Sequence, residues 1–256
     1  MSHQQSEESV LRQTIEEGVC WLTLNRPQRA NALNTALRNA LLGAVREAMS
    51  NKAVKVLVLD SSGSAFCAGS DIDEIIPSPA HIDRVRGPNT ELLALLRNGP
   101  KPTIAVLRGV AAGIGLSLAL ACDLRFASPR AGLLAAFGRL GLTADGGLTS
   151  SLIRTMGFAR GMEMLYTERK LTAAEALDWG AVNAVVQDND LTQYTLQQTR
   201  GLSGRSSDAL AAMKAAMNLA LTSTFDEMVQ FEFDQQAELM GGSAFHDRFK
   251  SLRKPG

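Results

Sequence analysis

Short apolar runs and segments of helical periodicity alternate along the first ~190 residues. Runs rich in β-forming residues predict strands at Val19–Leu24, Val54–Leu59, Thr103–Leu107, Leu124–Ala127 and Val182–Val186. Apolar positions at helical spacing predict helices at 35–49, 114–122, 150–156, 160–166 and 173–179. The alternation is typical of an α/β fold.

The pattern changes near the C-terminus. From Leu191 onward nothing indicates a strand, and helices are predicted at 191–202, 207–222 and 224–240, with a basic tail after Phe245. We therefore expect an α/β core over 1–190 and a helical segment over 191–256. One part of the core is predicted differently: residues 77–88 contain three prolines and a glycine, which indicates a surface loop with weak helix.

Composition and charge exclude several classes of protein. Basic and acidic residues balance at 26 each, whereas nucleic-acid binders usually carry a basic excess. The longest apolar stretches, such as 116–122, are too short to span a bilayer, and the polar start has no signal-peptide pattern. Three widely spaced cysteines predict reduced thiols, and the three histidines show no zinc-ligand spacing. These features predict a cytoplasmic protein without a metal.

Two glycine-containing segments follow predicted strands. In Phe66-Cys67-Ala68-Gly69-Ser70-Asp71-Ile72, the glycine allows backbone to approach a ligand, or the segment is a turn that caps a helix through Ser70 or Asp71. In residues 101–115, a strand leads through Gly109 and Gly113 into an apolar helix, whose free N–H groups suit an anion. Tight helix–sheet packing explains these glycines equally well. A dinucleotide site is not expected, because Leu118 stands where that motif needs glycine.

A third segment, residues 137–147, contains a single carboxylate. Asp145 lies among Leu, Ala and Gly residues, and an apolar setting raises the pKa of a carboxyl group toward the range useful for proton transfer. The alternative is an Asp-Gly turn, which is common. Taken alone, this segment favours the turn.

The order of these segments resembles the crotonase family, also called the enoyl-CoA hydratase/isomerase superfamily. The resemblance rests on the three segments above and on five further sequences. They are Asn25-Arg26-Pro27, Asn31-Ala32-Leu33-Asn34, Arg160-Gly161-Met162-Glu163, Leu171-Thr172-Ala173-Ala174-Glu175-Ala176 and Trp179-Gly180-Ala181-Val182-Asn183. The basic end, 249–255, also resembles the family's C-terminal tail. The resemblance implies a spiral of strand–strand–helix units followed by helices that cover the site and mediate assembly into trimers or pairs of trimers.

The resemblance also implies a site. Backbone N–H groups of Ser70 and Ile114 would form an oxyanion hole for the enolate of an acyl-CoA thioester, with Asp145 as the acid–base group. Further residues would line the substrate or meet the coenzyme, namely Arg26, Arg29, Ala68, Asp71, Ile72, Gly113, Phe137, Lys250 and Arg253. Coenzyme A is part of the substrate, so no separate cofactor is expected.

The chain departs from the family's hydratases at both glutamate positions. One is Ser117 here, the other falls within 137–140, and no glutamate occurs between Glu91 and Glu163. Asp145 instead matches the acting aspartate of some isomerases and aryl-CoA dehalogenases of the family. We therefore rank double-bond isomerisation first, hydration or a related lyase reaction second, and dehalogenation third.

Two other functions remain open. Gly115-Leu116-Ser117-Leu118-Ala119 approximates the serine-hydrolase elbow, and Ser117, Asp145 and His246 occur in hydrolase order. Against this, about ten residues separate the preceding strand from Ser117. The second alternative is an acyl-CoA binder of the same family that has lost catalysis.

Overall fold

The computed structural model describes residues 9–252, which contain two β-sheets and a set of surrounding helices. The strands are β1 Leu11–Glu16, β2 Val19–Leu24, β3 Val56–Ser61, β4 Ala65–Cys67, β5 Thr103–Leu107, β6 Val110–Ala112, β7 Leu124–Ala127, β8 Gly132–Leu134, β9 Leu171–Thr172 and β10 Ala184–Val185. The helices are α1 Thr35–Ser50, α2 Pro79–Asn98, α3 Ile114–Ala121, α4 Leu148–Thr167, α5 Ala173–Asp178, α6 Asp188–Ser203, α7 Ser207–Leu219, α8 Phe225–Gly241 and α9 Ser243–Leu252.

From β3 to β8, successive strands alternate between the two sheets. The larger sheet has the order β1-β2-β3-β5-β7-β10 and is parallel except for the antiparallel β1–β2 pair. The smaller sheet has the order β4-β6-β8-β9. Each pair β3–β4, β5–β6 and β7–β8 thus places one strand in each sheet, and a helix follows each pair. The predicted α/β spiral of strand–strand–helix units is confirmed.

Side-chain alternation along the large sheet separates two cores. On β3, Leu57 and Leu59 join the main core between the sheets and helices α1–α4, whereas Val56 and Val58 join a smaller core on the opposite face. Helix α6 covers that face through Leu191. Both faces of a parallel sheet are buried in this way, which explains why its strands read as continuous apolar runs.

The prediction of a loop at residues 77–88 was wrong, because helix α2 runs through this segment. Ser78 caps the helix and Pro79 occupies the first turn, where its missing N–H costs nothing. Pro88 lies in the helix interior, yet the buried face of Val85, Leu92 and Leu96 packs toward α1 and α3. Burial of this face offsets the hydrogen bond that Pro88 cannot donate.

The C-terminal segment is helical, as predicted, and α9 extends the helices into the basic tail. Helix α7 contacts α2 and α8, and α8 contacts α9. Arg253 and Lys254, which belong to the predicted tail, lie outside the described residues. Within residues 9–252, no helix combines the length and the apolar character needed to cross a bilayer.

Candidate active site

Two backbone segments meet at the start of helix α3. A Cβ atom placed on Gly69 would lie 3.2 Å from the carbonyl oxygen of Ala112 and 3.9 Å from the Cα atom of Gly113. Both glycines have positive φ, +110° at Gly69 and +53° at Gly113, which other residues adopt rarely. The sequence therefore needs glycine here for conformation, and the consequence is close contact between the segments that precede Ser70 and Ile114.

The N–H groups of Ser70 and Ile114 are both available. Leu33 pairs with this segment, since its N–H donates to Gly69 at 2.8 Å and its carbonyl accepts from Asp71 at 3.1 Å. Ser70 lies between these bonds, and among the described residues its N–H has no acceptor. The N–H of Ile114, at the N-terminus of α3, likewise has none within that range. Two free donors on touching segments can bind a developing oxyanion.

Asp145 lies beside the first turn of α3. A Cβ atom on the following residue, Gly146, would lie 2.6 Å from Cδ1 of Ile114 and 3.0 Å from Cβ of Ser117. The Ser117 hydroxyl donates to the backbone carbonyl of Asp145 at 3.1 Å. These contacts hold the loop of Asp145 against the helix that supplies one free N–H. The Ile114 side chain packs inward under Gly146 and is only 3% exposed.

The electrostatic setting of Asp145 suits proton transfer. Desolvation raises the pKa of its carboxyl group above the usual value, while the charge of Arg38 lowers it by a smaller amount. The side chain remains accessible from solvent. A raised pKa makes an accessible carboxyl group better suited to take up a proton and return it.

Arg38 is a buried cation that the sequence interpretation missed. It projects from α1, and its Nε donates to Oδ1 of Asn89 on α2 at 2.9 Å. One of its terminal nitrogens donates to the carbonyl oxygen of Leu33 at 3.3 Å. Arg38 thus connects two helices to the segment that pairs with Ser70. A signal was present, because Arg38 falls on the same helix stripe as the buried Leu42 and Val45.

Glu168 is a second missed residue, and it shapes the loop at Phe137. The buried carboxylate accepts from the N–H groups of Phe137 at 2.9 Å and Arg139 at 3.0 Å, and also from that of Gly138. Phe137 is nearly buried, and its Cζ lies 4.0 Å from a Cβ atom placed on Gly113. Glu168 therefore fixes the backbone that presents an aromatic ring to the oxyanion segments. No sequence periodicity connects positions 31 residues apart.

Asp71, Arg26 and Arg29 were predicted to meet the substrate or the coenzyme, and in the structure Asp71 contacts both arginines. Asp71 is buried and caps a single helical turn, Ile72–Glu74, by accepting from the N–H of Asp73. Its carboxylate pairs with Arg26 at 2.8 Å and with Arg29 at 3.5 Å. Arg26 also donates to the carbonyl of Ala32. Arg26 and Asp71 thus brace the Ser70 segment.

Other predicted site residues lie at the surface. Ala68 is exposed beside Gly69, and Ile72 is 76% exposed just beyond Asp71. Arg29 is partly exposed and also pairs with Asp73. Lys250 lies on the exposed side of α9, and Arg253 lies outside the described residues.

The serine-hydrolase arrangement is absent from the described residues. Ser117 is the fourth residue of α3, is buried, and donates to a backbone carbonyl instead of an imidazole. His246 is exposed on α9, where its ring contacts Phe245. The hydroxyl of Ser117 therefore has no base to activate it, and we discard this alternative.

Comparisons with known proteins identify a family and several similar proteins. Residues 14–251 match the family described as enoyl-CoA hydratase/isomerase. A 1,2-epoxyphenylacetyl-CoA isomerase of Escherichia coli K12 is 36% identical, over 90% of this chain and 89% of that protein. A 4-chlorobenzoyl coenzyme A dehalogenase of an Arthrobacter species is 29% identical, over 93% and 88% of the two chains. The crystal structure of an enoyl-CoA hydratase from Mycobacterium smegmatis superposes with a TM-score of 0.90 at 29% identity, covering 97% and 99%.

Proposed function

Because this chain belongs to the enoyl-CoA hydratase/isomerase family, we propose that it is an acyl-CoA isomerase that uses Asp145 as its proton shuttle. The observation that carries the proposal is that the loop of Asp145 packs against the turn of α3 that supplies the free N–H of Ile114. Ile114 contributes both an N–H and the side chain on which Gly146 rests. The thioester oxygen of the substrate and the acid–base residue Asp145 would therefore both lie at the first turn of α3.

The reaction requires no group beyond these. The thioester oxygen of a 3-enoyl-CoA lies between the N–H groups of Ser70 and Ile114, which makes the C2 proton more acidic. The Asp145 carboxylate removes that proton, and the electron pair forms a dienolate whose charge rests on the oxygen. The protonated carboxyl group then returns the proton to C4, and the double bond lies between C2 and C3.

The residues present favour isomerisation over hydration. Addition of water by the family's two-glutamate chemistry needs two carboxylates, and the corresponding positions hold Ser117 and the loop at 137–140. Glu168, the carboxylate that reaches this loop, is occupied by three backbone N–H groups. A single free carboxylate supports a reaction that moves one proton within the substrate.

A second candidate is hydrolytic dehalogenation of an aryl-CoA. It is favoured by the Phe137 ring beside Gly113 and by the 29% identity to the Arthrobacter dehalogenase. Here the Asp145 carboxylate would attack the ring carbon, halide would leave, and water would hydrolyse the resulting aryl ester. The same carboxylate would then act as a nucleophile instead of a base.

An assay with three substrates tests the proposal. Purified protein is incubated separately with 3-enoyl-CoA, 2-enoyl-CoA and 4-chlorobenzoyl-CoA, and the conjugated thioester, the 3-hydroxy product and free chloride are quantified. We expect conjugated thioester from 3-enoyl-CoA at a rate far above the other two reactions. Chloride release as the fastest reaction supports the dehalogenase, and hydration as the fastest reaction refutes the assignment of a single acting carboxylate.

For the coenzyme, we propose that a basic rim meets the phosphates. Arg29 retains 42% side-chain exposure despite its acidic partners, and Lys250 is exposed on α9. Arg26 would act indirectly, since its guanidinium is bonded to Asp71 and Ala32.

We also propose self-association as a trimer or a dimer of trimers. Several large apolar side chains are exposed on α4 and α8, namely Phe158, Tyr166, Phe225 and Phe233. Such exposure is unusual for a monomer's surface and typical of interfaces. Sedimentation should give three or six times the 27.4 kDa chain mass, and Phe233→Asp is expected to lower it. A monomeric parent at micromolar concentration would contradict this.

Arg38→Met is expected to move the acidic limb of the kcat–pH profile to higher pH. The charge of Arg38 favours the ionised Asp145 carboxylate, so its removal raises the pKa of Asp145 further. The base form is then lost at a higher pH as the solution is acidified. Asn89→Ala is the matched control, because it removes the 2.9 Å hydrogen bond but leaves the charge. Equal displacement in both variants would show that the effect is structural.

Glu168→Gln is expected to raise KM several-fold with a smaller change in kcat. The amide has one acceptor oxygen for three N–H donors, so the Phe137 loop loses hydrogen bonds that fix its backbone. Asp145 itself is unchanged. Loss of these charge-assisted bonds should lower the free energy of unfolding by about 3 kcal/mol. Glu163→Gln, an exposed carboxylate bonded to Arg169, is the control and should change neither quantity. A loss confined to kcat would argue against a positioning role.

A further inference from the structure

A cavity of about 430 Å³ lies between α4 and α7, away from the site described above. Leu120 and Ala121, at the C-terminal end of α3, line it. The free N–H of Ile114 is at the other end of the same eight-residue helix, about 10 Å away at 1.5 Å per residue. The cavity is therefore separate from the oxyanion segments.

The charges that line this cavity are unbalanced. Four cationic side chains face it, Arg97, Arg125, Arg154 and Lys214, together with the single carboxylate Asp123. That carboxylate is already paired with Lys214 at 2.8 Å. Lys214 completes its hydrogen bonds with the carbonyl oxygens of Leu96 and Lys101. The three arginines are left with excess positive charge in a chain whose net charge is zero.

Arg154 has an unused donor inside the cavity wall. One terminal nitrogen donates to Oδ1 of Asn218 at 2.7 Å, whereas Nη1 is buried with no partner in the described part of the chain. Asn218 is itself held, because its Nδ2 donates to the carbonyl of Arg97 at 2.9 Å. A buried guanidinium nitrogen without an acceptor is unfavourable, and an anion in the cavity would satisfy it.

The other arginines are disposed in different ways. Arg125 is deeply buried and donates to the carbonyl oxygens of Ala181 and Cys122, and burial lowers the pKa of its guanidinium. The Arg97 side chain has no ion pair with the rest of residues 9–252. Arg154 and Arg97 thus provide the charge that is free to meet a ligand.

Most of the remaining lining is hydrocarbon, although the polar residues Ser151, Thr155 and Asn218 also contribute. The large apolar side chains are Leu120, Leu124, Leu202, Leu210, Met213 and Met217. Methionine side chains adapt to ligands of different shape, and the cavity volume lies within the range of small-molecule sites. A lining that contains both cations and hydrocarbon matches a ligand that has an anionic part and an apolar part.

We propose that this cavity binds an organic monocarboxylate with a hydrocarbon body of medium length. Its carboxylate accepts from Arg154 Nη1 and faces Arg97, and its chain packs on Met213 and Met217. The proposal concerns a second site and does not depend on the reaction assigned to Asp145.

Titration calorimetry of the full chain with sodium octanoate tests the proposal, with octan-1-ol and inorganic phosphate as comparison probes. We expect octanoate to bind one site per chain at least tenfold more tightly than either probe. Saturating coenzyme A and the Asp145→Asn substitution should leave its Kd unchanged. Arg154→Met should weaken binding at least tenfold.

Two further variants keep the result interpretable. Arg160→Met is the matched control, because Arg160 lies on the same helix but is exposed and pairs with Asp178. Arg97→Met removes the other free cation without breaking an ion pair and should also weaken binding. Octanoate binding that coenzyme A abolishes, that equals phosphate binding, or that survives both Arg154→Met and Arg97→Met would overturn the proposal. Absence of octanoate binding to the parent would overturn it as well.

Discussion

Asp145→Asn is expected to lower kcat for 3-enoyl-CoA isomerisation by about 10²–10⁴-fold, the usual contribution of a positioned acid–base group. An amide cannot take up the C2 proton, and within residues 9–252 no other acidic residue is bonded through its backbone carbonyl to Ser117. KM should change little, because the N–H groups of Ser70 and Ile114 remain. Steady-state kinetics on 3-enoyl-CoA measure both quantities.

The stability of the same variant provides the control. Desolvation raises the pKa of Asp145 in the folded state, so folding is favoured by the protonated group and that contribution is lost as pH rises through the folded pKa. Near neutral pH the ionised carboxylate therefore opposes folding, and a neutral amide should leave the melting temperature unchanged or higher. A rate equal to that of the parent would show that Asp145 is not the shuttle. Lost activity with a strongly lowered melting temperature would indicate structural damage instead.

The large sheet and its helices were predictable because their residues repeat a clear pattern. Strands such as β3 and β5 are buried on both faces, so they form continuous apolar runs with turn residues at their ends. Helix α1 has its apolar residues on one stripe and an Asn34 cap. In these elements local preference and tertiary environment agree.

The smaller sheet was not predictable in the same way. Strands β4, β6 and β8 have three residues each and β9 has two, which is too short for alternation to be recognised. They exist because the backbone pairs across the spiral. The loop prediction for the start of helix α2 was wrong for the opposite reason. Its prolines dominate the local sequence, whereas the stability of the helix comes from packing.

The residues of the candidate site also differ in how far the sequence could predict them. The backbone donors and Asp145 could be predicted because the order of glycine-containing segments resembles a family. Arg38 and Glu168 were missed because their roles depend on partners distant in sequence, Asn89 and the N–H groups of 137–139. Arg26 and Asp71 were predicted to contact the ligand, and the structure shows in addition that they form an ion pair with each other. Charged side chains in this protein often stabilise the backbone that holds the site.

Ile114→Pro is expected to reduce kcat by about 10²–10³-fold, because it deletes one of the two oxyanion donors. Proline is tolerated at this position for two reasons. Ile114 is the first residue of α3, where an N–H has no helical acceptor, and Gly113 before it has ψ of −129°, away from the helical region that proline disfavours. Kinetics on 3-enoyl-CoA measure the effect.

Ile114→Val separates the donor from the side chain. Valine keeps the N–H but lacks the Cδ1 atom that lies against Gly146, so its kcat should stay within a few-fold of the parent, with about 0.5–1.5 kcal/mol lost from the free energy of unfolding. The proline variant should still bind coenzyme A itself, since the coenzyme does not occupy the donor. If both variants lose activity to the same extent, the Ile114 side chain matters through the Asp145 loop, and the enolate is stabilised by other groups. If only the proline variant loses activity, charge develops on an oxygen at the N-terminus of α3, where Gly69 and Gly113 bring the two segments into contact.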